Sequence, residues 1–270
     1  MIHSTAIIGG AVALGVDVHI GPYSVLDGDV KVGDRCRIGP HCHITGQTEI
    51  GENTRIHAGA VIGDDPQDHS FDGAVSFTKI GRHCHIREYA TVHRGAEAGT
   101  ATVIEDNVMV MGFVHIGHNC HLHAGVVIAN MSVVSGHVEI GKRAFVSSGT
   151  LVHQFVRIGD YTMISARARI VQDVPPYCLL AEGDCIYGIN TVGLRRAGFP
   201  QDVRRTLNEA VKTFYFKDLN RDDALDCLRR DYPASAEVGV LIDFIAGAKR
   251  GTMPGRPKRG KSTTEMSVVE

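Results

Sequence analysis

The sequence predicts a parallel β-helix followed by a small C-terminal α-helical domain. Three observations predict it. A large aliphatic residue recurs at every sixth position between Ile2 and Ile170. Glycine is abundant, at 31 residues, whereas aromatics make up only 6% and tryptophan is absent, so small aliphatic side chains must fill the interior. Beyond Ile170 the six-residue period gives way to apolar spacings of three and four.

The ruler opens with Ile2, Ile8, Leu14 and Ile20 and keeps one phase to Ile158, Ile164 and Ile170; along it only Asp68, Ala74 and Ala98 lack a large aliphatic side chain. Two positions before each aliphatic stands a small or β-branched residue such as Ala6, Val12, Val18, Cys36, Thr48, Ala60, Val126 or Ser132. The residue after it is often glycine, as at Gly9, Gly21 and Gly117. A period of six fits neither a helix nor an isolated amphipathic strand. It fits short strands joined by tight corners, with each aliphatic pointing inward and glycine easing the bend. Three hexads close one triangular coil of about 18 residues. Roughly nine such coils, stacked at the ~4.8 Å strand spacing, make a prism ~45 Å long.

This places the prism over residues 1–190, with loops at about 64–77 and 94–101, where the aliphatics lapse but the phase survives. The first loop contains the polar run Asp64-Asp65-Pro66-Gln67-Asp68-His69, suited to covering a site on the prism face. Val174-Pro175-Pro176-Tyr177 marks the exit. A helical domain is expected over 191–250. Its first helix carries Val203, Leu207, Ala210, Val211 and Phe214 after Pro200; the second starts at Asn220 and the third at Ser235. Residues 251–270 read as a disordered tail, rich in Pro-Gly, Lys-Arg and Ser-Thr.

Charge excludes some partners. With 30 acidic and 28 basic residues the formal charge is −2, so no global attraction to nucleic acid is expected and any polyanion site must be local. The start MIHSTAIIGG lacks the pattern of a signal peptide, and no apolar run approaches a membrane span, so a soluble cytoplasmic chain is expected. Seven cysteines at no framework spacing read as reduced thiols; Cys36, Cys42, Cys84 and Cys120 fall at the small interior position of the hexad, as core residues.

A three-hexad coil also stacks distant residues. Gly117, Ser135 and His153 share one column, His118, Gly136 and Gln154 the next, and Asn119, His137 and Phe155 the third. Several imidazoles are thereby gathered beside a glycine. A neutral imidazole can take a proton from a hydroxyl near neutral pH, and a glycine N–H open to approach can hold an oxyanion. Lone histidines on turns more often only decorate them.

The motifs His115-Ile116-Gly117-His118-Asn119-Cys120, Val92-His93-Arg94-Gly95, Val152-His153-Gln154-Phe155, Gln172 to Tyr177 and Gly193 to Phe199 resemble those of the UDP-N-acetylglucosamine O-acyltransferases that start lipid A synthesis. The resemblance runs from the first hexad through the helical domain. It implies a left-handed prism, a homotrimer with sites between neighbouring prisms, and transfer of a (R)-3-hydroxyacyl chain from acyl carrier protein to the 3-position of a UDP-amino sugar. It further implies His118 as general base and Gly136 as oxyanion donor, with Asp68, His93, His115, His137, His153, Gln154, Asn190 and Arg196 around the sugar nucleotide, and no metal or cofactor.

Three positions depart from the family pattern. Asn119 replaces a frequent aspartate beside the base, Ser70 a lysine, and Ala197 a second phosphate-facing arginine, for which Arg195 is the nearby substitute. Ala166, in a stretch that in the family bears on acyl length, predicts a shorter cavity. The basic residues Arg195, Arg196, Arg204 and Arg205 are candidates for docking an acidic carrier protein.

Other readings stay open on residues alone. His118 and His123, with a further histidine near His83, allow a zinc-dependent γ-class carbonic anhydrase, and hexapeptide chains also include non-catalytic scaffolds. The N-acyltransferase of the next lipid A step normally carries a domain before its repeat, for which a ruler beginning at Ile2 leaves no room.

Overall fold

Along most hexads the chain makes a two-residue strand, turns, and starts the next strand on another face. In each strand the first residue points out and the second in, as in His115–Ile116, Val133–Val134 and Arg157–Ile158. Three parallel sheets result. The first has nine strands, including Val61–Asp64, Thr91–His93, His115–Ile116, Val133–Val134 and Leu151–Val152. The second has eight, including Ala101–Ile104, His121–Leu122 and Glu139–Ile140, and the third ten, including His85–Ile86, Met109–Val110, Val127–Ile128 and Phe145–Val146. The computed structural model describes residues 1–181 and 183–257.

Register confirms the three-hexad coil: His115 pairs with Val133 and Val133 with Leu151. The inward residues Leu26, Ile44, Ile62, Ile116, Val134 and Ile170 are buried and stack as continuous ladders. Each contributes about 1.5–3 kcal/mol relative to an exposed side chain. The small position beside them takes polar groups where a carbonyl lies within reach, although the buried hydroxyls of Thr78 and Thr102 have no partner. Cys36, Cys42, Cys84 and Cys120 aim their thiols at the carbonyls of Gly51, His57, Glu105 and Ser135, and Ser132 bonds those of Ala129 and Ser147. Burial pushes the Cys84 thiol up to about 11 and that of Cys120 up to about 12, as suits core side chains rather than thiolate ligands.

Glycine after the aliphatic acts differently from the expectation that it eases the bend. A Cβ at Gly117 would meet the Gly136 nitrogen at 2.8 Å, so glycine is needed there for close stacking of coils. The left-handed bend lies two residues later, where Asn119, His137 and Phe155 take φ of 59°, 59° and 66°.

Both insertions leave the corner between the first and second sheets, on successive coils. Val61 pairs with Thr91 and Gln47 with Phe77, two hexads more than a plain coil; Phe77 pairs with Ala101, one hexad more. Whole-hexad insertions explain why the ruler keeps phase while Asp68, Ala74 and Ala98 fall out of the core.

The prism closes on an antiparallel pair, Cys178–Ala181 with Cys185–Ile189, not anticipated from the sequence. Four helices follow: α1 (Thr191–Arg196), α2 (Gln201–Phe216), α3 (Arg221–Asp231) and α4 (Ala236–Ala246). Asn220 and Ser235 cap α3 and α4 by accepting from the backbone N–H of Asp223 and Val238. Of the expected tail, residues 251–257 pack as a strap instead. Thr252 and Gly255 bridge to Asp173 and Ile186, Met253 is buried, and the Tyr215 hydroxyl meets Thr252 Oγ1 at 3.0 Å. The apolar Met253 side chain and these backbone bonds outweigh the polar composition. The rest of that expectation, 258–270, lies outside the described residues. Among the described residues no helix is long and apolar enough to cross a membrane.

Candidate active site

The corner that ejects both loops continues on the next coil as Gly117-His118-Asn119-Cys120, so the loops overhang His118. Asn119 joins loop to base. Its Oδ1 accepts the Ala96 N–H at 2.9 Å, which fixes the amide's orientation, and the same oxygen lies 2.9 Å from His118 Nδ1. An oxygen can only accept, so Nδ1 carries the proton and Nε2 of the neutral ring keeps its lone pair. That Nε2 lies 3.9 Å from Asp68 Oδ2, on the first loop.

Asp68 is held in turn by Ser70, whose N–H and hydroxyl donate to Oδ1 at 2.9 and 2.8 Å and keep the carboxyl below its usual range. Ser70, which removes an expected cation, therefore orients an anion. The same loop is pinned by Arg94, which pairs with Asp65, donates to the Gly63 carbonyl at 3.2 Å and lies over the Phe71 ring.

One coil beyond His118 stands Gly136. A Cβ there would lie 2.6 Å from His118 Nε2, so only glycine leaves room for the imidazole. Among the described residues the Gly136 N–H has no acceptor, whereas the equivalent N–H groups of Val16 and Lys142 are capped by Asp34 and Asp160. The His137 ring meets His118 edge-on at 5.1 Å and stacks on Phe155 at 4.6 Å; Glu97 of the second loop approaches its Nε2 at 3.8 Å. Burial pushes His137 down.

Toward the first sheet, His93 and His115 pack 5.1 Å apart. His93 bonds the Asp65 carbonyl through Nδ1, and His115 Nδ1 meets the Thr91 hydroxyl at 2.8 Å. Burial, with His93 and His118 adding to it, pushes His115 down to about 4, so it is neutral near pH 7. The His118 Nε2 and the free Gly136 N–H thus border one space, a constellation able to deprotonate a hydroxyl and hold an oxyanion.

Within one chain the expected residues form three groups. Asp68, His93, His115, His118, Gly136 and His137 meet at this corner. His153 and Gln154 are exposed two coils past His118, where Arg250, just before the strap, places Nη1 3.2 Å from His153 Nδ1. Asn190 and Arg196 lie elsewhere, on the corner between the second and third sheets. Asn190 caps α1 and bonds the Tyr161 carbonyl at 2.8 Å, and with Arg196 it lines a cavity of about 270 Å³ beside Gly125 and Arg143. Asn119 and Gly125 are one hexad apart, up to ~20 Å across a prism face.

Sequence reasoning passed over Arg94, Glu97, Ser70 as an orienting group, and Arg250. Only Arg94 lay inside a motif that had been singled out. His118 and His123 do not converge as a zinc pair: His118 is engaged by Asn119, while His123 sits at the far end of the second sheet between Glu105 and Glu139.

Comparison with known proteins agrees with this architecture. Residues 173–253 match the model of the second domain of UDP-N-acetylglucosamine O-acyltransferases, and residues 12–46, 29–64 and 101–136 match that of bacterial transferase hexapeptide repeats. Acyl-[acyl-carrier-protein]–UDP-N-acetylglucosamine O-acyltransferases of Halorhodospira halophila and Paraburkholderia phymatum are 41% and 43% identical to the chain, over 93% of it and 98% of each relative. The UDP-N-acetylglucosamine acyltransferase structure from Bacteroides fragilis superposes with a TM-score of 0.91 at 35% identity, covering 94% of this chain and all of that one. That from Francisella novicida gives 0.90 at 33% identity, covering 94% of both.

Proposed function

Because the chain belongs to the family of acyl-carrier-protein-dependent UDP-N-acetylglucosamine O-acyltransferases, we propose that it moves a (R)-3-hydroxyacyl chain from acyl carrier protein to the 3-position of UDP-N-acetylglucosamine, with His118 as general base. The observation that carries this reading is the Asn119 Oδ1 contact, which makes Nε2 the lone-pair nitrogen of a neutral His118 ring and points it to the space under the loops. Nε2 takes the proton of the sugar hydroxyl as its oxygen attacks the thioester carbon. The carbonyl electrons move onto oxygen, where the Gly136 N–H holds the developing charge. Collapse breaks the C–S bond, and the His118 imidazolium returns its proton to the departing thiolate.

Asp68, His93, His115 and His137 surround the acceptor sugar in this reading, while His153, Gln154, Asn190 and Arg196 reach the nucleotide. Since Asn190 and Arg196 stand on another corner, a neighbouring chain supplies them and the working unit is a homotrimer. Its axis runs along the third corner, between the third and first sheets, where Tyr89, Phe113 and Met131 are 56%, 57% and 66% exposed and the first two rings stack at 5.2 Å. Such an exposed apolar spine is a contact surface. A carrier-bound donor places the reaction in the cytoplasm.

The test compares His118→Ala and Arg196→Ala, made separately and co-expressed, with carrier-bound 3-hydroxyacyl donors and both the 3-hydroxyl and 3-amino forms of the acceptor. Loss of His118 lowers turnover by ~10²–10⁴ with the fold retained, and the mixed oligomers regain part of the activity. Unchanged turnover in His118→Ala removes it as base. Failure of the mixture to recover removes the shared site.

A further inference from the structure

On the outer face of the second sheet, away from the loop-covered corner, two imidazoles converge on one carboxylate. Glu105 follows the strand Ala101–Ile104, His121 opens the next strand of that sheet, His121–Leu122, and His123 follows it. Because Val103, His121 and Glu139 are register partners, these side chains project from adjacent coils into the same space. His121 Nε2 lies 2.8 Å and His123 Nδ1 3.0 Å from the same oxygen, Glu105 Oε1. The rings are tilted with centroids 4.1 Å apart.

Two further contacts hold this group in place. Glu105 Oε2 accepts the Ala124 N–H at 2.9 Å, locking the carboxylate with Oε1 toward the rings. Glu139 Oε1 lies 3.0 Å from His123 Nε2 and holds that N–H, while the Nδ1 proton now given to Glu105 is the one an incoming metal ion displaces. A carboxylate orienting the remote nitrogen of a histidine whose other nitrogen faces a carboxylate oxygen is the outer-shell pattern of metal-ligating imidazoles.

We propose that Glu105, His121 and His123 bind a divalent transition-metal ion of the zinc class, with Glu139 positioning His123. The three donor atoms lie within 4.8 Å of one another. Donors at ~2.0–2.2 Å from a tetrahedral zinc stand ~3.4 Å apart, so the imidazoles need to open by only a few tenths of an ångström. Two nitrogens and one oxygen select zinc, cobalt or nickel over magnesium or calcium, which prefer all-oxygen shells. Three protein ligands leave a fourth position to water. The side chains are partly exposed, at 37% for Glu105, 40% for His121 and 29% for His123, so the ion can enter from solvent. The site shares no residue with the His118 corner and its occupancy is separate from acyl transfer.

The experiment titrates the metal-stripped full chain with Zn²⁺ by calorimetry and with Co²⁺ by visible absorption. Wild type is expected to take up one tight ion per chain, with the cobalt bands of a four- or five-coordinate site. His123→Asn and Glu105→Gln abolish that uptake, Glu139→Gln weakens it by ~10–100-fold, and acyl transfer is unchanged in all three. Circular dichroism confirms their folding. Uptake that survives His123→Asn, or that disappears instead with His118→Ala, overturns the assignment.

Discussion

Two corners of the prism bend the chain with the same left-handed residue and do different things. Between the third and first sheets that residue is Tyr89, Phe113 or Met131, nothing is inserted, and the corner is an exposed apolar spine. Between the first and second sheets it is Asn119, His137 or Phe155, and two loops expelled from the preceding coils fold over it. The backbone turn is therefore neutral toward function. The site exists where the repeat is interrupted, because an expelled loop supplies polar groups, from Asp68, Ser70, Ala96 and Glu97, that a regular hexad has no room to hold.

Glycines test this contrast most sharply. Gly136→Ala puts a methyl against the His118 ring and is expected to lower kcat by ~10²–10³, with little change in melting temperature. Gly149→Ala, at the apolar corner, sits at φ +68° with only the Arg167 stem nearby at 3.7 Å. It is expected to cost about 1 kcal/mol of stability and no activity. Equal losses of activity in both would break the distinction between corners.

Acid separates the corners next. His115 has its folded-state pKa pushed from 6.5 down to about 4, so between those values the unfolded chain binds the extra proton. Stability is full above about pH 7 and falls as pH drops toward 4, by roughly 3 kcal/mol for this group. Chemical denaturation at pH 7 and 4.5 measures it; in His115→Asn that part of the loss should vanish, and an unchanged pH dependence would show that burial at His115 is not its source.

The smallest effect concerns Asn119. A carboxylate there still accepts from Ala96 and His118 but adds a charge beside the imidazolium formed during transfer. Asn119→Asp is expected to raise kcat several-fold and to move the acidic limb of the rate profile to higher pH. A fall in kcat would mean that the amide's own donor is needed at the loop.

The prism was legible because its period is set by sterics at every coil: every sixth, inward position takes an aliphatic, and the stacked position after it is often a glycine. The columns of His118 with Gly136 and Asn119 with His137 follow from the same arithmetic. Helix starts at Asn220 and Ser235 were readable because a side-chain oxygen capping a free N–H is a local event. The left-handed corner residues were not, since Asp17, Tyr23, Arg35, His41 and Phe113 share only their place in the turn. Nor were α1, the strap over 251–257 or the contact of Arg250 with His153, which depend on surfaces that meet only after the prism closes.

By itself the sequence determined the coil, its circumference and which residues stack along it, because those rest on short-range spacing repeated without a change of phase. Only the tertiary structure decided that Ala96 fixes the amide of Asn119, that Ser70 holds Asp68 over the base, and that Asn190 and Arg196 face away from it. These depend on where expelled and terminal segments settle, and their contacts join residues on different coils whose separation obeys no repeat.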